Sequence, residues 1–197
     1  MPITTTLNRI YACNLWLDKW EELLAGLGKT EGDDEPLAYT KIVEINGIYE
    51  ALWACRAEPQ YAKEWRLFSI WCARQVEHLM TDQRSKDAII VAERYANGQA
   101  TDEELSVAMA MANPAAKKAT LMAAPTAYYA AYTAWYMMQG MPYTTANVSV
   151  VAYTAAQAAW HALGDTAWND ARDAQKEHFI EICNATEARE SCNGDSK

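Results

Sequence analysis

Apolar residues recur along this chain at spacings of three and four, the period of helices that bury one side. Ile10, Cys13, Leu17, Trp20 and Leu24 form one such stripe and predict a first helix over about 6–25. The following GLGKTEGDDEP, with three Gly, a Pro and a run of acids, predicts a mobile connecting loop. A second helical segment covers about 39–57, with a break offered at Asn46-Gly47, before Glu58-Pro59 resets the chain. A third, over about 61–80, carries Trp65, Leu67, Phe68, Ile70, Trp71, Cys72, Val76 and Leu79. Its first half is apolar on nearly every side, so it is expected to be a central helix contacted all round.

After Thr81-Asp82 the pattern predicts a helix over about 84–97, ended by Asn97-Gly98 with a left-handed residue. Thr101, followed by Asp102, Glu103 and Glu104, is a capping box: the hydroxyl and the Glu104 carboxylate can each satisfy a free backbone N–H. The acids also suit the positive end of the helix they open. Pro114 and Pro125 divide the Ala-rich region that follows, predicting helices near 102–112, 115–124, 126–139 and 145–163, with Gly140 and Gly164 as punctuation. The remaining helix, about 166–190, places Trp168, Ala171, Gln175, Phe179, Ile182 and Cys183 along one side. The polar SCNGDSK at 191–197 is expected to fray. Seven to nine helices and no convincing strand result, an all-α bundle forming one domain over residues 1–190.

Charge changes this picture in one place. Between Leu105 and Gly164 there is no Asp or Glu, and the only Lys or Arg are Lys117 and Lys118, although the chain holds 26 acids. A surface helix carries charge on its outer face, so this stretch is expected to be enclosed or held against something else. Three readings stay open. The Ala-rich helices can form the centre of the bundle. One face can be a partner or self-association surface, with Tyr128, Tyr129, Tyr132, Trp135, Tyr136, Met137, Met138 and Met141 supplying the aromatic and Met content that interfaces favour. Or about 119–141 and 146–163 can form a membrane hairpin, a reading weakened by the Thr, Gln, Asn, Pro and Tyr that dilute both segments.

The composition is that of a packed protein, 51% apolar with eight Trp and eleven Tyr against two Phe. A net charge of −9 without clustered Lys or Arg argues against binding nucleic acid. Cys13, Cys55, Cys72, Cys183 and Cys192 lie far apart, with no CxxC or Cys/His spacing for a metal, which fits reduced thiols. The opening MPITTTLNRIYACN lacks the apolar stretch of a secretory signal, so a cytoplasmic location is expected.

Catalytic and cofactor motifs are sparse. No GxxxxGK[ST] or GxGxxG string occurs, and the residues three before His78, His161 and His178 are Gln75, Ala158 and Gln175 rather than the Glu of a di-iron bundle. No cofactor is expected. On a helix His78 could meet Asp82, and His178 could meet Glu181, each an imidazole–carboxylate pair of the kind a hydrolase uses. Without a Gly-x-Ser-x-Gly elbow these read as structural links, and Cys72, inside an apolar run, reads as a small core residue. Arg74, His78, Asp82 and Arg84, in a stretch that also holds Arg66, Glu64, Glu77 and Asp87, are candidates for a polar network orienting two helices.

Residues 65–105, WRLFSIWCARQVEHLMTDQRSKDAIIVAERYANGQATDEEL, carry a resemblance. Trp71-Cys72-Ala73, Val76, His78-Leu79, Asp82, Arg84, the Ala88–Ala96 segment, Gly98 and Thr101 through Leu105 resemble a family of small helical proteins of bacteriophage and bacterial genomes, some labelled immunity proteins. Ala54-Cys55-Arg56-Ala57 is similar too, whereas after Leu105 this chain has Thr, Tyr and Met where the family has Arg and Asp. The resemblance implies a noncatalytic accessory protein that neutralises a toxin or a defence factor by binding it. The expected surface is Tyr128, Tyr132, Trp135, Tyr136, Met137, Met138 and Met141, and a self-associating scaffold is the alternative.

Overall fold

The structure, a computed structural model, describes residues 2–13, 17–118 and 146–185. Thr6 opens α1 (Leu7–Ala12) by accepting the Arg9 N–H on its hydroxyl at 3.2 Å, and Cys13 closes it. Helix α2 (Leu17–Leu27) follows, so the predicted stripe is divided between two helices. The acidic loop after α2 is engaged in local contacts. The Lys29 ammonium donates to the carboxylates of Asp33 and Glu35, and the Asn8 N–H donates to the Asp33 carbonyl at 3.0 Å. One cation among several acids converts the run into a local clasp.

Two short strands, β1 (Thr4–Thr5) and β2 (Leu37–Ala38), pair antiparallel, Thr4 opposite Ala38 and Thr5 opposite Leu37. A pair two residues long leaves no alternation in the sequence to detect. Helices α3 (Tyr39–Asn46) and α4 (Ile48–Ala54) are separated at Gly47, whose φ of 93° lies where only glycine sits without strain. Two 3₁₀ turns, Cys55–Ala57 and Pro59–Tyr61, lead into α5 (Ala62–Gln75). Expected to run to about 80, α5 instead stops at Gln75, where tighter i→i+3 bonds carry the chain through a 3₁₀ turn at Glu77–Leu79.

The Asp82 carboxylate accepts the Arg84 N–H at 3.0 Å and opens α6 (Gln83–Ala96), which Gly98 ends at φ 73°. The capping box then forms as predicted. Thr101 N–H donates to the Glu104 carboxylate at 2.7 Å, and Glu104 N–H donates to the Thr101 hydroxyl at 3.1 Å. Helix α7 (Asp102–Lys118) passes straight through Pro114 instead of dividing there. Pro114 and Ala110 are both exposed, so the carbonyl that loses its partner meets water, while Ala112 and Ala115 bury the inner face. Helices α8 (Ala146–Leu163) and α9 (Asp165–Ala185) form a hairpin about Gly164, at φ 91°. The segments expected at 126–139 and over most of 115–124 lie outside the described residues, as does the tail.

The core gathers where α3, α5 and α9 meet. Tyr39, Trp65, Phe68 and Phe179 are each fully buried, with Trp65 stacked on Phe179 at 5.8 Å and Tyr39 against Trp65 at 5.4 Å. Their polar atoms are satisfied by backbone: the Tyr39 hydroxyl donates to the Ala54 carbonyl at 2.9 Å, and the Trp65 indole donates to the Glu58 carbonyl at 3.1 Å. Helix α8 lays Val148, Val151, Ala152, Ala155 and Ala158 against α4, α5 and α9. Cys55, Cys72 and Cys183 are buried, and burial pushes each thiol pKa up, that of Cys183 to about 12. Nine helices and a vestigial strand pair, among the described residues, make an all-α, multi-helix, single-domain fold.

Candidate binding site

The inner stripe of α8 leaves another face open. Tyr153, Gln157 and Trp160 stand at i, i+4 and i+7, turned away from the small residues that fill the core. Across the Gly164 turn, Asp165, Trp168 and Asn169 occupy the first turns of α9 and complete a solvent-open groove of about 430 Å³. Tyr153 is 45% exposed and Trp160 41%, while Trp168 is half-buried.

Three contacts fix the groove. The Trp160 indole donates to the Asp165 carboxylate at 2.6 Å and ties the end of α8 to the start of α9. Tyr153 and Trp168 meet edge to face, 5.6 Å between centroids at 86°. The Gln157 amide donates to the Tyr153 hydroxyl at 2.7 Å. Behind them the aromatic row continues into the fold, with Tyr49 6.0 Å from Tyr153 and the Arg172 guanidinium 5.1 Å from the Tyr49 ring centre. Burial pushes the Tyr49 hydroxyl pKa up to about 12, and Arg172 pulls it partly back. The resulting surface offers flat rings, one carboxylate and a few amides, a chemistry of binding through desolvated faces.

A second concavity of about 300 Å³ lies on the other side of the hairpin, beneath the turn after α5. Small apolar residues of α8 and α9, among them Ala155, Ala159 and Ala171, form its walls, with His78, Asp170, Gln75 and Gln175 among them. Gln175 is buried, its amide donating to the Ala152 carbonyl at 2.8 Å.

The residues singled out from sequence are dispersed. Asp82 pairs with Arg84, Nη2 to carboxylate 2.6 Å, and this contact drives the Asp82 pKa down to about 2. Arg74 is held separately, by Glu77 at 2.7 Å and by Glu93, and so links the end of α5 to α6. His78 joins neither pair. Because α5 stops at Gln75, the helical spacing that would bring it to Asp82 does not exist, and it stands exposed beside the second cavity. His178 does reach Glu181 at 3.3 Å, but its ring stacks on Trp71 at 4.3 Å, which gives it a packing role. Tyr128, Tyr132, Trp135, Tyr136, Met137, Met138 and Met141 lie outside the described residues.

Sequence reading missed Tyr153 and Trp160. The signal was present: aromatic residues seven apart on a carboxylate-free helix, directly before Gly164-Asp165. Among the described residues no cluster of three His, Cys, Asp or Glu is placed to hold a metal, and no helix is long and apolar enough to cross a membrane. Compared with known proteins, the chain matches no family model, no curated protein and no solved structure.

Proposed function

We propose that this chain is a noncatalytic accessory protein of a phage or bacterium that acts by occupying a surface of another protein, neutralising a toxin or a defence factor in the cytoplasm. One observation carries the reading. Helix α8 has no Asp, Glu, Lys or Arg over its whole length, yet it presents Tyr153 and Trp160 to solvent and ends at Leu163, 72% exposed. An uncharged helix with its small residues inside and its large ones outside is built to be covered, because exposed rings yield affinity only when a partner dries them. The aromatic and Met-rich segment at 126–141 belongs to the same carboxylate-free stretch.

The test is capture of a specific bacterial partner by three tagged proteins: wild type, Tyr153→Ala/Trp160→Ala, and Tyr132→Ala/Trp135→Ala. Loss of a partner that wild type retains, in either pair, with helical circular dichroism unchanged, supports the reading. Equal capture by both folded variants refutes it.

A further inference from the structure

We infer that the Tyr153–Trp160–Trp168 groove receives the cationic side chain of a basic segment on the partner protein, an arginine best of all. The inference rests on the protein-binding reading above and gives its partner a chemistry.

The chain shows what its own aromatic rings do with cations. The guanidinium of Arg56 lies 3.8 Å from the Trp53 ring centre, and those of Arg172 and Arg66 lie 5.1 Å and 5.9 Å from the centres of Tyr49 and Tyr95. Tyr49, Tyr153 and Trp168 form one continuous row, and Arg172 already covers its inner end. At the outer end no Lys or Arg of the described residues covers Tyr153, Trp160 or Trp168, and the His161 ring lies 4.7 Å from that of Trp160. The perpendicular Tyr153 and Trp168 rings make a corner, Trp160 stands two turns along α8 from Tyr153, and Asp165 is the single charged residue of the lining.

That carboxylate has no cationic partner among the described residues. Its one hydrogen bond, from the Trp160 indole, leaves further lone pairs for a guanidinium or ammonium. Aromatic rings beside a carboxylate that lacks a cationic side-chain partner favour a cation over an anion. The occupant is a side chain on a protein rather than a free small amine, because the groove is open to solvent and a small amine would leave most of its rings wet. The net charge of −9 steers a basic segment toward it.

The probes are a tetra-arginine peptide and its tetra-citrulline counterpart, which keeps the shape and removes the charge. The readout is the indole N–H resonances of Trp160 and Trp168, assigned from Trp160→Phe and Trp168→Phe. The arginine peptide is expected to shift both resonances saturably and to bind about tenfold more tightly than the citrulline peptide. Asp165→Asn is expected to weaken binding about threefold. Asp34→Asn, which removes the same charge from the exposed loop after α2, is expected to leave it unchanged. Equal loss in the two Asn variants, or equal binding of the two peptides, overturns the cation site. So does the absence of any shift at Trp160. None of these outcomes touches partner capture, which fails only if the α8 and 126–141 variants both retain the partner.

Discussion

Glu58 is the residue whose surroundings contrast most with its chemistry. Its side chain is 1% exposed, Arg9 reaches it at 3.0 Å from a half-exposed position, and its other oxygen has no partner. A buried carboxylate is tolerated only while a cation offsets it, so the two partners are unequal. Arg9→Ala leaves the charge uncompensated and should destabilise the fold by about 2 kcal/mol or more. Glu58→Gln removes the charge and should be milder, and urea unfolding of both variants measures the order; a costlier Glu58→Gln would mean that Arg9 contributes little. Asp82 gives a pH dependence of known sign. Its pKa is lowered in the fold to about 2, chiefly by its bonds to Arg84. The contact therefore stabilises fully above the unfolded carboxylate pKa near ~4 and is lost as pH falls toward 2. The gap in melting temperature between wild type and Asp82→Asn should be constant from pH 7 to about 5 and close below about 4. A gap that persists at pH 2 would show that the carboxylate charge is not what Asp82 supplies.

Elements whose ends are written in local chemistry were legible in the sequence. Thr101 and Glu104 exchange the two bonds their spacing implies, Gly98 takes the left-handed conformation, and Gly47 breaks the second helical segment where Asn46-Gly47 offered a break. Elements whose ends depend on tertiary contact were not. Nothing local to Gln75 signals that α5 stops there; Arg74 is drawn off to Glu77 and Glu93, across to α6. Pro114 failed in the opposite direction, since an exposed proline on a helix whose inner face packs against α6 is carried by that packing. The absent N–H bond still has a cost. Pro114→Ala should restore it and raise stability by about 1–3 kcal/mol, seen as a higher denaturation midpoint and a slightly larger helical signal. Destabilisation by that change would mean that a bend at Pro114 is needed for α7 to follow α6.

At the scale of the whole molecule, the lack of carboxylates from Leu105 to Gly164 marks that stretch in the sequence without telling the faces of its helices apart. Helix α8 shows the reason. Its core side is filled by Val and Ala, which any helix can carry, while its distinctive residues, Tyr153 and Trp160, point outward. Burial patterns in a sequence report hydrophobicity, and on α8, unlike in the core around Trp65, the largest side chains are not the most buried. That exposed face could be covered by a second copy or by another protein, and charge separates the two. Two copies bring together two bodies of net charge −9, which repel, whereas specific stable interfaces bury about 1,600 Å² in close contact. A basic partner meets attraction instead, over the same rings. The chain should therefore sediment as a monomer of about 22.1 kDa across micromolar concentrations at low salt, where self-repulsion is strongest. A dimer under those conditions would mean that the uncharged face serves self-association, and a scaffold role would replace partner capture.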